Sequence, residues 1–276
     1  MKLSPGNVAI VTGAGSGIGR ALALHLAARG CDLALADIKP DGLSETLAQI
    51  VAAGKARIRV TTHVVDVSDW SAVERFAGEV AERHGDAQLL INNAGVALGG
   101  TFSEVTLEDF AWLMGINFWG AVHGCKAFLP VLMRQPAAHI VNLSSVFGLV
   151  APPGQAAYSA SKFAVRGFSE SLRGELRDTP IRVSCVHPGG VKTNIARNAR
   201  ARNIDPERAK AGAEYFERTL RMPPAQAAAI IVRGVERDQP RILVGNDARL
   251  LDALARLVPA QMSDFLSGQA PGRPRQ

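Results

Sequence analysis

Residues 7–19 read NVAIVTGAGSGIG, and this stretch decides the fold. A short apolar strand runs directly into a glycine-rich turn, and an amphipathic helix is predicted from Arg20. Glycines at such a turn let the backbone approach a pyrophosphate, which N–H groups at the helix N-terminus then bind. The spacing is G-x-x-x-G-x-G with Gly15 extra, not the strict G-x-G-x-x-G, and no P-loop Gly-Lys-Ser/Thr follows. Because such a turn by itself is more often only a tight connection, a dinucleotide site needs further residues.

Acidic residues at the ends of the next two predicted strands extend the pattern. Asp37 closes the second strand twenty residues after Gly17. A carboxylate there accepts hydrogen bonds from the adenosine ribose and repels a 2′-phosphate, which favours NAD over NADP. Lys39 could soften that selection, and an ordinary solvated aspartate is the alternative. Asp66 and Val67 are expected at the adenine, although Asp66 could equally be a helix cap.

Short β-branched or apolar runs alternate with helical periodicity along the chain, as in repeated βαβ units. Strands are predicted near residues 7–12, 32–37, 57–65, 88–92, 139–144, 182–187 and 241–244. The pattern predicts a doubly wound α/β fold of the Rossmann type, with a mostly parallel seven-stranded sheet and helices on both faces. Residues 1–245 are predicted to form one dinucleotide-binding and catalytic domain. Residues 246–276 would be a C-terminal extension with one amphipathic helix and a frayed tail.

Composition narrows the class of protein. The chain has 276 residues, 47% of them hydrophobic, which is ample for a large core. Its formal charge of +6 is scattered among 25 acidic residues, so nucleic-acid binding is not expected. The three cysteines are widely spaced and predict reduced core residues, with no metal site. No leader-like or membrane-spanning segment is recognised, and a cytoplasmic protein is predicted.

Tyr158 and Lys162 stand four residues apart, thirteen residues beyond Ser145. On a helix this spacing puts a phenol and an ammonium on one face, one turn apart, where the cation can stabilise a phenolate. The pair by itself is weak evidence, because the same spacing occurs by chance on many solvated helices. Together with the glycine turn and the serine, it predicts an acid-base catalyst.

Several motifs in a fixed order carry a resemblance to a known family. They are Thr12-Gly13-x-x-x-Gly17-Ile18-Gly19, Asn92-Asn93-Ala94-Gly95, Asn117, Asn142-Leu143-Ser144-Ser145, Tyr158-x-x-x-Lys162 and Pro188-Gly189-Gly190-Val191-Lys192-Thr193. Over roughly its first 245 residues the chain resembles the short-chain dehydrogenase/reductases. The resemblance implies hydride transfer between a nicotinamide and a secondary alcohol or ketone.

The resemblance also implies a role for each catalytic residue. Tyr158 would be the general acid/base, and Lys162 with the charged nicotinamide would lower its pKa from about 10. Lys162 would also hold the nicotinamide ribose. Ser145 would donate to the substrate oxygen, and Asn117 would order a water that links Lys162 to solvent. In the alternative reading, Ser145 only ends a strand and Asn117 is a buried polar residue.

The implied cofactor contacts lie along the whole sheet edge. Val191 N–H and Thr193 would hold the carboxamide, and Asn92 is expected to be structural. The cofactor, predicted to be NAD, would be bound by Gly13, Ser16, Gly17, Ile18, Gly19, Asp37, Asp66, Val67, Asn93, Ala94, Gly95, Tyr158, Lys162, Pro188, Gly189, Val191 and Thr193.

The substrate side is less defined. Substrate contacts are expected from Ser145, Phe147, Tyr158 and Gly190, with the two glycines at 189 and 190 leaving room for an apolar ketone or alcohol. Residues 194–222 would form a lid, whose basic residues could attract an acidic substrate or simply be a solvated face. In the extension, Leu250, Leu251, Leu254 and Leu257 would bury one helical face.

Two alternatives remain open. Within enzymes, the basic lid permits an NADPH-dependent 3-oxoacyl reductase acting on a carrier-protein or coenzyme A ester, against which Asp37 argues. From another class, a catalytically silent nucleotide-sensing regulator is possible, but such proteins usually lose the tyrosine or the lysine. The resemblance further implies a homodimer or homotetramer.

Overall fold

The computed structural model of the protein describes residues 1–54, 58–202, 204–260 and 262. Its centre is a seven-stranded, entirely parallel sheet with the order β3-β2-β1-β4-β5-β6-β7. This confirms the predicted doubly wound Rossmann-type fold. The strands are β1 Val8–Thr12, β2 Asp32–Asp37, β3 Val60–Val64, β4 Leu89–Asn92, β5 Ala138–Leu143, β6 Ile181–Pro188 and β7 Arg241–Val244.

Helices connect the strands and cover both faces of the sheet. They are α1 Gly17–Ala27, α2 Pro40–Ala52, α3 Trp70–His84, α4 Leu107–Met114, α5 Gly120–Met133, α6 Ala156–Glu175, α7 Pro206–Thr219, α8 Pro224–Glu236 and α9 Asn246–Leu257. A π-helical turn, Gly115–Trp119, joins α4 to α5, and a 3₁₀ turn, Val146–Gly148, follows β5. Asn117 therefore lies in the π turn between these two helices. Among the described residues, every helix is too short or too polar to cross a lipid bilayer.

Most predicted strands agree with the structure to within one or two residues. The third strand begins at Val60, later than predicted, and Arg57 lies outside the described residues. The predicted frayed tail beyond residue 267 also lies outside them. Alternating residues of β1 enter two hydrophobic clusters, Ala9 and Val11 on one face and Val8 and Ile10 on the other.

Buried polar side chains link the two central strands to a helix. Asn92 Nδ2 donates to Asn142 Oδ1 at 2.8 Å, and Asn142 Nδ2 donates to Ser169 Oγ at 3.0 Å. Asn92 and Asn142 are direct partners in the β4–β5 register. This confirms the expectation that Asn92 bridges strands. All three cysteines are buried and unpaired.

The strand order reverses direction between β1 and β4, because β1 continues to β2 on one side and β4 continues to β5 on the other. In open α/β sheets the crevice outside the carboxyl ends of the strands at such a point binds ligands. The glycine turn after β1 and the Asn93-to-Gly95 turn after β4 both lie there. Ser145 follows β5 at the same edge.

The C-terminal extension packs against the turn after β5. Leu251 and Leu254 of α9 join a cluster with Phe147 and Val146, whereas Leu250 and Leu257 are 61% and 77% exposed. The prediction that all four leucines bury one face is thus wrong for two of them. The reason is geometric, since Leu250 and Leu257 share a helical stripe adjacent to the one that meets the turn.

Candidate active site

The glycine turn is built so that donors remain available at the start of α1. Gly13 and Gly17 have φ of +65° and +53°, which favours glycine. Asn93 Nδ2 donates to the carbonyl oxygens of Thr12 and Gly13 at 2.9 and 3.1 Å and so fastens the turn to β4. Ser16 precedes the helix, but no side chain caps it and no acid lies in its first turn. The residues therefore fit a dinucleotide pyrophosphate.

Asp37 faces this turn. Its carboxylate accepts hydrogen bonds from the backbone N–H of Gly15 at 2.8 Å and of Lys39 at 3.0 Å. Arg20, which the sequence reasoning did not single out, bonds the Gly15 carbonyl and pairs with Glu45. Its position directly after the glycine motif was the available signal. The structure thus places a carboxylate beside the turn and pairs Arg20 with another acid, Glu45.

Asp66 and Val67 lie beyond β3, next to the first residues of α5. Asp66 Oδ1 accepts hydrogen bonds from Ser68 N–H and Ser68 Oγ. The helix-cap alternative for Asp66 is wrong, because Asp69 precedes α3 and its side chain accepts from Ser71 N–H. Val67 is buried, and its carbonyl contacts His123 Nδ1 at 3.0 Å.

Asn117 lies in the π turn, close to Lys162 but bonded elsewhere. Its side chain accepts from Val96 N–H at 2.8 Å and donates to the Val96 carbonyl and Ser161 Oγ. A Cβ added at Gly95 would lie 3.2 Å from Asn117 Oδ1 and 3.4 Å from Lys162 Nζ. Gly95 therefore lies directly against both the Asn117 and the Lys162 side chains. The backbone N–H of Ala94, the residue before it, donates to Thr12 Oγ1.

Ser145, Tyr158 and Lys162 come together where β5 and α6 meet. Ser145 is 9% exposed, and its hydroxyl oxygen accepts from Phe147 N–H at 3.1 Å. Lys162 is 4% exposed, with Nζ 3.1 Å from the Leu143 carbonyl and 5.7 Å from the centre of the Tyr158 ring. The predicted clustering of hydroxyl, phenol and ammonium is present.

The protonation states differ in part from the expectation. Burial raises the pKa of Tyr158, and a hydrogen bond with Ser145 acts in the opposite direction. Burial lowers the pKa of Lys162 to about 8. Burial is the larger of the two effects on Tyr158, and the lowering of its pKa expected from Lys162 together with the charged nicotinamide stays a prediction.

Residues 188–193 form a tight loop after β6. Val191 N–H donates to the Gly189 carbonyl at 3.0 Å, so the donor expected for the carboxamide is used within the loop. Thr193 packs against the glycine turn, since a Cβ at Gly17 would lie 3.1 Å from Thr193 Cγ2. Pro188 ends β6 in the sheet.

The expectation that Gly189 and Gly190 leave room for substrate is wrong. A Cβ at Gly190 would lie 2.3 Å from the Thr219 carbonyl oxygen, and one at Gly189 would lie 2.2 Å from Asp247 Oδ2. The Gly190 carbonyl also accepts the N–H groups of residues 221 and 222. Backbone and a carboxylate fill the space, so Gly190 offers the substrate no open side.

His187 precedes this loop and is fully buried. Its Nδ1 lies 3.0 Å from the Ser145 carbonyl, to which it donates, and burial lowers its pKa to about 4. It therefore supports the backbone of Ser145.

The lid arginines are held by acids around the start of α4. Arg200 pairs with the buried Asp109 at 3.3 Å and stacks on Trp112 with 3.4 Å from Cζ to the ring centre. Arg202 and Arg208 pair with Glu108 and Glu104 respectively. Three of the lid arginines are thus already paired with acidic side chains.

On the substrate side, Phe147 contacts both Tyr158 and the lid. Its ring centre lies 6.1 Å from that of Tyr158, edge to face, and 6.1 Å from that of Phe216 in α7. The surface between the serine turn and the lid is therefore aromatic. The sequence analysis did not single out Phe216. In its helix α7, which the structure describes in full, no residue is buried, so Phe216 is not part of a hydrophobic core.

Fold and site together define a Rossmann-type α/β protein in which serine, tyrosine and lysine side chains meet at the carboxyl edge of the sheet. The family model for short chain dehydrogenases matches residues 7–204, and the chain belongs to that family. Accordingly, the protein is an NAD(P)-dependent oxidoreductase that transfers a hydride between a nicotinamide and an alcohol or ketone.

Known proteins are similar along the whole chain. SadH of Mycobacterium tuberculosis, whose name places it among oxidoreductases without giving a substrate, is 45% identical over 261 residues, covering 94% of this chain and 93% of its own. A Burkholderia phymatum short chain dehydrogenase/reductase in complex with NAD has a TM-score of 0.84 and 33% identity, with full coverage of both chains. A metagenomic short-chain oxidoreductase in complex with NADP has a TM-score of 0.70 and 30% identity, covering 88% of this chain and 98% of its own.

Proposed function

We propose that this enzyme uses NAD to interconvert an apolar secondary alcohol and its ketone, with Tyr158 as the general acid/base. The observation that carries the proposal is the meeting of Ser145, Tyr158 and Lys162 at the sheet edge that also holds the glycine turn. When bound, the nicotinamide would accept or supply the hydride. Residues 1–245 would be the catalytic unit and residues 194–222 its lid.

Proton movement would be centred on the Tyr158 hydroxyl. Its raised pKa keeps it protonated at neutral pH, so it is ready to donate to the oxygen of a ketone. In the oxidative direction the phenol must first lose that proton, and the Lys162 ammonium nearby favours the loss. Ser145 would donate to the substrate oxygen as charge develops there. Asn117, hydrogen-bonded to Ser161 and Val96, would order a water that links Lys162 to solvent, so that protons can be exchanged with bulk water.

The preference for NAD rests on Asp37. Its carboxylate lies beside the glycine turn, where the adenosine ribose would sit, and an added 2′-phosphate would meet like charge without a neutralising arginine, since Arg20 is paired with Glu45. Lys39 lies two residues beyond Asp37, and its positive charge would reduce the repulsion of a 2′-phosphate and so weaken the preference for NAD over NADP. The NAD complex of the Burkholderia relative supports the proposal, while the NADP complex of the metagenomic relative shows that the family allows both.

An apolar substrate fits the surroundings of Tyr158. Phe147 and Phe216 face each other near the phenol, and the lid arginines 200, 202 and 208 are already paired with acids. The 3-oxoacyl reductase alternative, which needs those cations for an acidic carrier, is therefore disfavoured. The catalytically silent, nucleotide-sensing regulator is disfavoured because Ser145, Tyr158 and Lys162 are all present and lie close together.

We also propose a homo-oligomer in the cytoplasm. Trp119 in the π turn, Met133 in α5 and Phe163 in α6 are 50%, 44% and 40% exposed, and an interface between copies of the chain would cover such apolar side chains. The buried, unpaired cysteines suit a reducing compartment.

Nucleotide binding and turnover can be tested separately. Titration with NADH and NADPH by nicotinamide fluorescence should show tighter binding of NADH. Among ketones and secondary alcohols screened for turnover, Tyr158→Phe should lower kcat by about 10²-fold or more while NADH binding is kept. Tyr215→Phe is the matched control, since Tyr215 is the other tyrosine of the chain and is 49% exposed on α7.

Three outcomes would contradict parts of the proposal. Near-normal turnover by Tyr158→Phe would remove the acid/base assignment. Tighter binding of NADPH than NADH would overturn the role of Asp37. Failure of the wild-type protein to bind either nucleotide would overturn the function as a whole.

A further inference from the structure

The first turn of α9 meets the loop after β6 through one carboxylate. Asp247 Oδ2 accepts a hydrogen bond from Gly190 N–H at 2.7 Å. A Cβ added at Gly189 would lie 2.2 Å from the same oxygen, and one at Gly245 would lie 2.2 Å from Asp247 Oδ1. The carboxylate therefore occupies the space that two glycines, from different parts of the chain, leave open.

The backbone around this carboxylate joins three segments. Gly189 N–H donates to the Val244 carbonyl at 3.0 Å, and the Gly190 carbonyl accepts from Met222 N–H at 2.9 Å at the end of the lid. Gly245 has φ of +110°, which glycine adopts readily and which turns the chain into α9. Asp247 supplies the acceptor for the Gly190 N–H within this junction. Without it the loop loses its side-chain link to the C-terminal helix.

The same helix is fixed at its other side. Leu251 and Leu254 pack with Phe147 below the serine turn, and Asp252, only 13% exposed, pairs with Arg241 of β7 at 2.8 Å. A helix anchored in this way is a rigid support for the carboxylate at its start. One helix therefore contacts both the turn that holds Ser145 and the loop that holds Val191 and Thr193.

We propose that Asp247 is a positioning residue for the nicotinamide end of the cofactor, acting through the Gly189–Gly190 loop. The inference rests on the proposed function, together with the expectation that Thr193 and the backbone around Val191 lie at the nicotinamide carboxamide. Asp247 sets where these two residues lie relative to Tyr158 and does not itself touch the reacting atoms. Its effect is confined to the nicotinamide half, because the adenosine half is bound by the glycine turn and Asp37 at the other side of the crevice.

Two ligands separate this role from a general loss of structure. NADH carries the nicotinamide, whereas ADP-ribose has the adenosine, pyrophosphate and second ribose without it. Asp247→Ala should weaken NADH binding by roughly three- to tenfold, as expected for one lost hydrogen bond to a carboxylate, and leave ADP-ribose binding unchanged. Asp247→Asn, which keeps an acceptor oxygen of the same size, should restore NADH binding to within about twofold of wild type.

A second variant keeps the charge but not the fit. Asp247→Glu moves the carboxylate one methylene further from the helix and away from the Gly190 N–H, so it should weaken NADH binding as Asp247→Ala does. Arg249→Ala is the control, because Arg249 is an exposed residue of the same helix, and it should leave the affinities for NADH and ADP-ribose unchanged. Binding is measured by calorimetry at 25 °C, with thermal melting to confirm that each variant is folded.

The outcomes distinguish the inference from the function beneath it. Equal weakening of NADH and ADP-ribose in Asp247→Ala, no weakening of either, or an Asp247→Asn variant as weak as alanine would overturn the positioning role. A wild-type protein that binds neither ligand would overturn the proposed function and the inference with it. NADH-selective weakening that asparagine rescues supports both.

Discussion

Replacing Lys162 with methionine should abolish catalysis and, at neutral pH, make the protein more stable. The ammonium is 4% exposed, and burial lowers its pKa from 10.5 to about 8. At about 1.4 kcal/mol per pKa unit, holding the charge in the folded state costs about 3 kcal/mol. Losing the hydrogen bond to the Leu143 carbonyl offsets about 1 kcal/mol. We therefore expect Lys162→Met to raise the free energy of unfolding by about 2 kcal/mol at pH 7.

The sign of the pH dependence follows from the lowered pKa. Below pH 8 both the folded and the unfolded chain hold the proton, and the full cost is present. Between pH 8 and 10.5 the folded lysine has lost its proton while the unfolded lysine keeps it, so wild type gains stability as pH rises. The advantage of Lys162→Met should therefore shrink to less than about 1 kcal/mol at pH 9.5.

Urea denaturation followed by circular dichroism at pH 7 and pH 9.5 measures both quantities. Lys126→Met is the matched control, because Lys126 is exposed on α5, and its free energy of unfolding should stay within about 0.5 kcal/mol of wild type. A Lys162→Met variant less stable than wild type by about 1 kcal/mol or more at pH 7 would refute the reasoning. The ammonium would then be a net stabilising contact instead of a catalytic group held at a cost.

Two further substitutions test the packing of the site. Gly148→Ala places a Cβ 2.2 Å from Ser144 Oγ and 2.7 Å from the Lys162 carbonyl oxygen, so we expect a loss of about 1–3 kcal/mol in urea denaturation and a lower kcat. Arg200→Ala removes the nearer of the two arginines that pair with the buried Asp109 and leaves Arg202 at 3.6 Å, so it should cost about 1–3 kcal/mol by the same measurement.

Each of these has a control in the chain. Gly167→Ala lies in α6 with nothing within 4 Å of its new Cβ, so it should be neutral or slightly stabilising. Arg197→Ala breaks an exposed pair with Glu217 and should cost less than about 1 kcal/mol. If Gly148→Ala and Gly167→Ala lower the free energy of unfolding equally, close packing at Gly148 is not what limits it. If Arg200→Ala and Arg197→Ala cost the same, burial of Asp109 does not strengthen its ion pair.

The parts of the site that sequence predicts well are those fixed by local rules. The glycine turn, the strand order implied by βαβ repeats, and the helical spacing of Tyr158 and Lys162 each follow from backbone geometry within a few residues. The resemblance supplied Ser145 and Asn117, because their positions follow motifs that lie at strand ends or near them.

The parts that sequence missed depend on contacts between distant segments. Nothing local to Gly190 indicates that Thr219 and Asp247 fill the space beside it, and nothing local to Arg200 indicates a buried partner ninety-one residues earlier. Leu250 differs from Leu251 only in which stripe of α9 meets the serine turn. The direction of the Tyr158 pKa likewise needed the packed structure, since burial raises it and the hydrogen bond with Ser145 lowers it.

The amide pair of Asn92 and Asn142 has a consequence for how the sheet assembles. A slip of two residues between β4 and β5 keeps every apolar side chain on its own face, so hydrophobic burial discriminates poorly against it. Such a slip would place Asn92 opposite Ile140 or Ser144 and leave Asn142 without its partner in the interior. The hydrogen bond between the two amides therefore favours one register during folding, and that register is also the one that brings Ser145 beside the cofactor crevice.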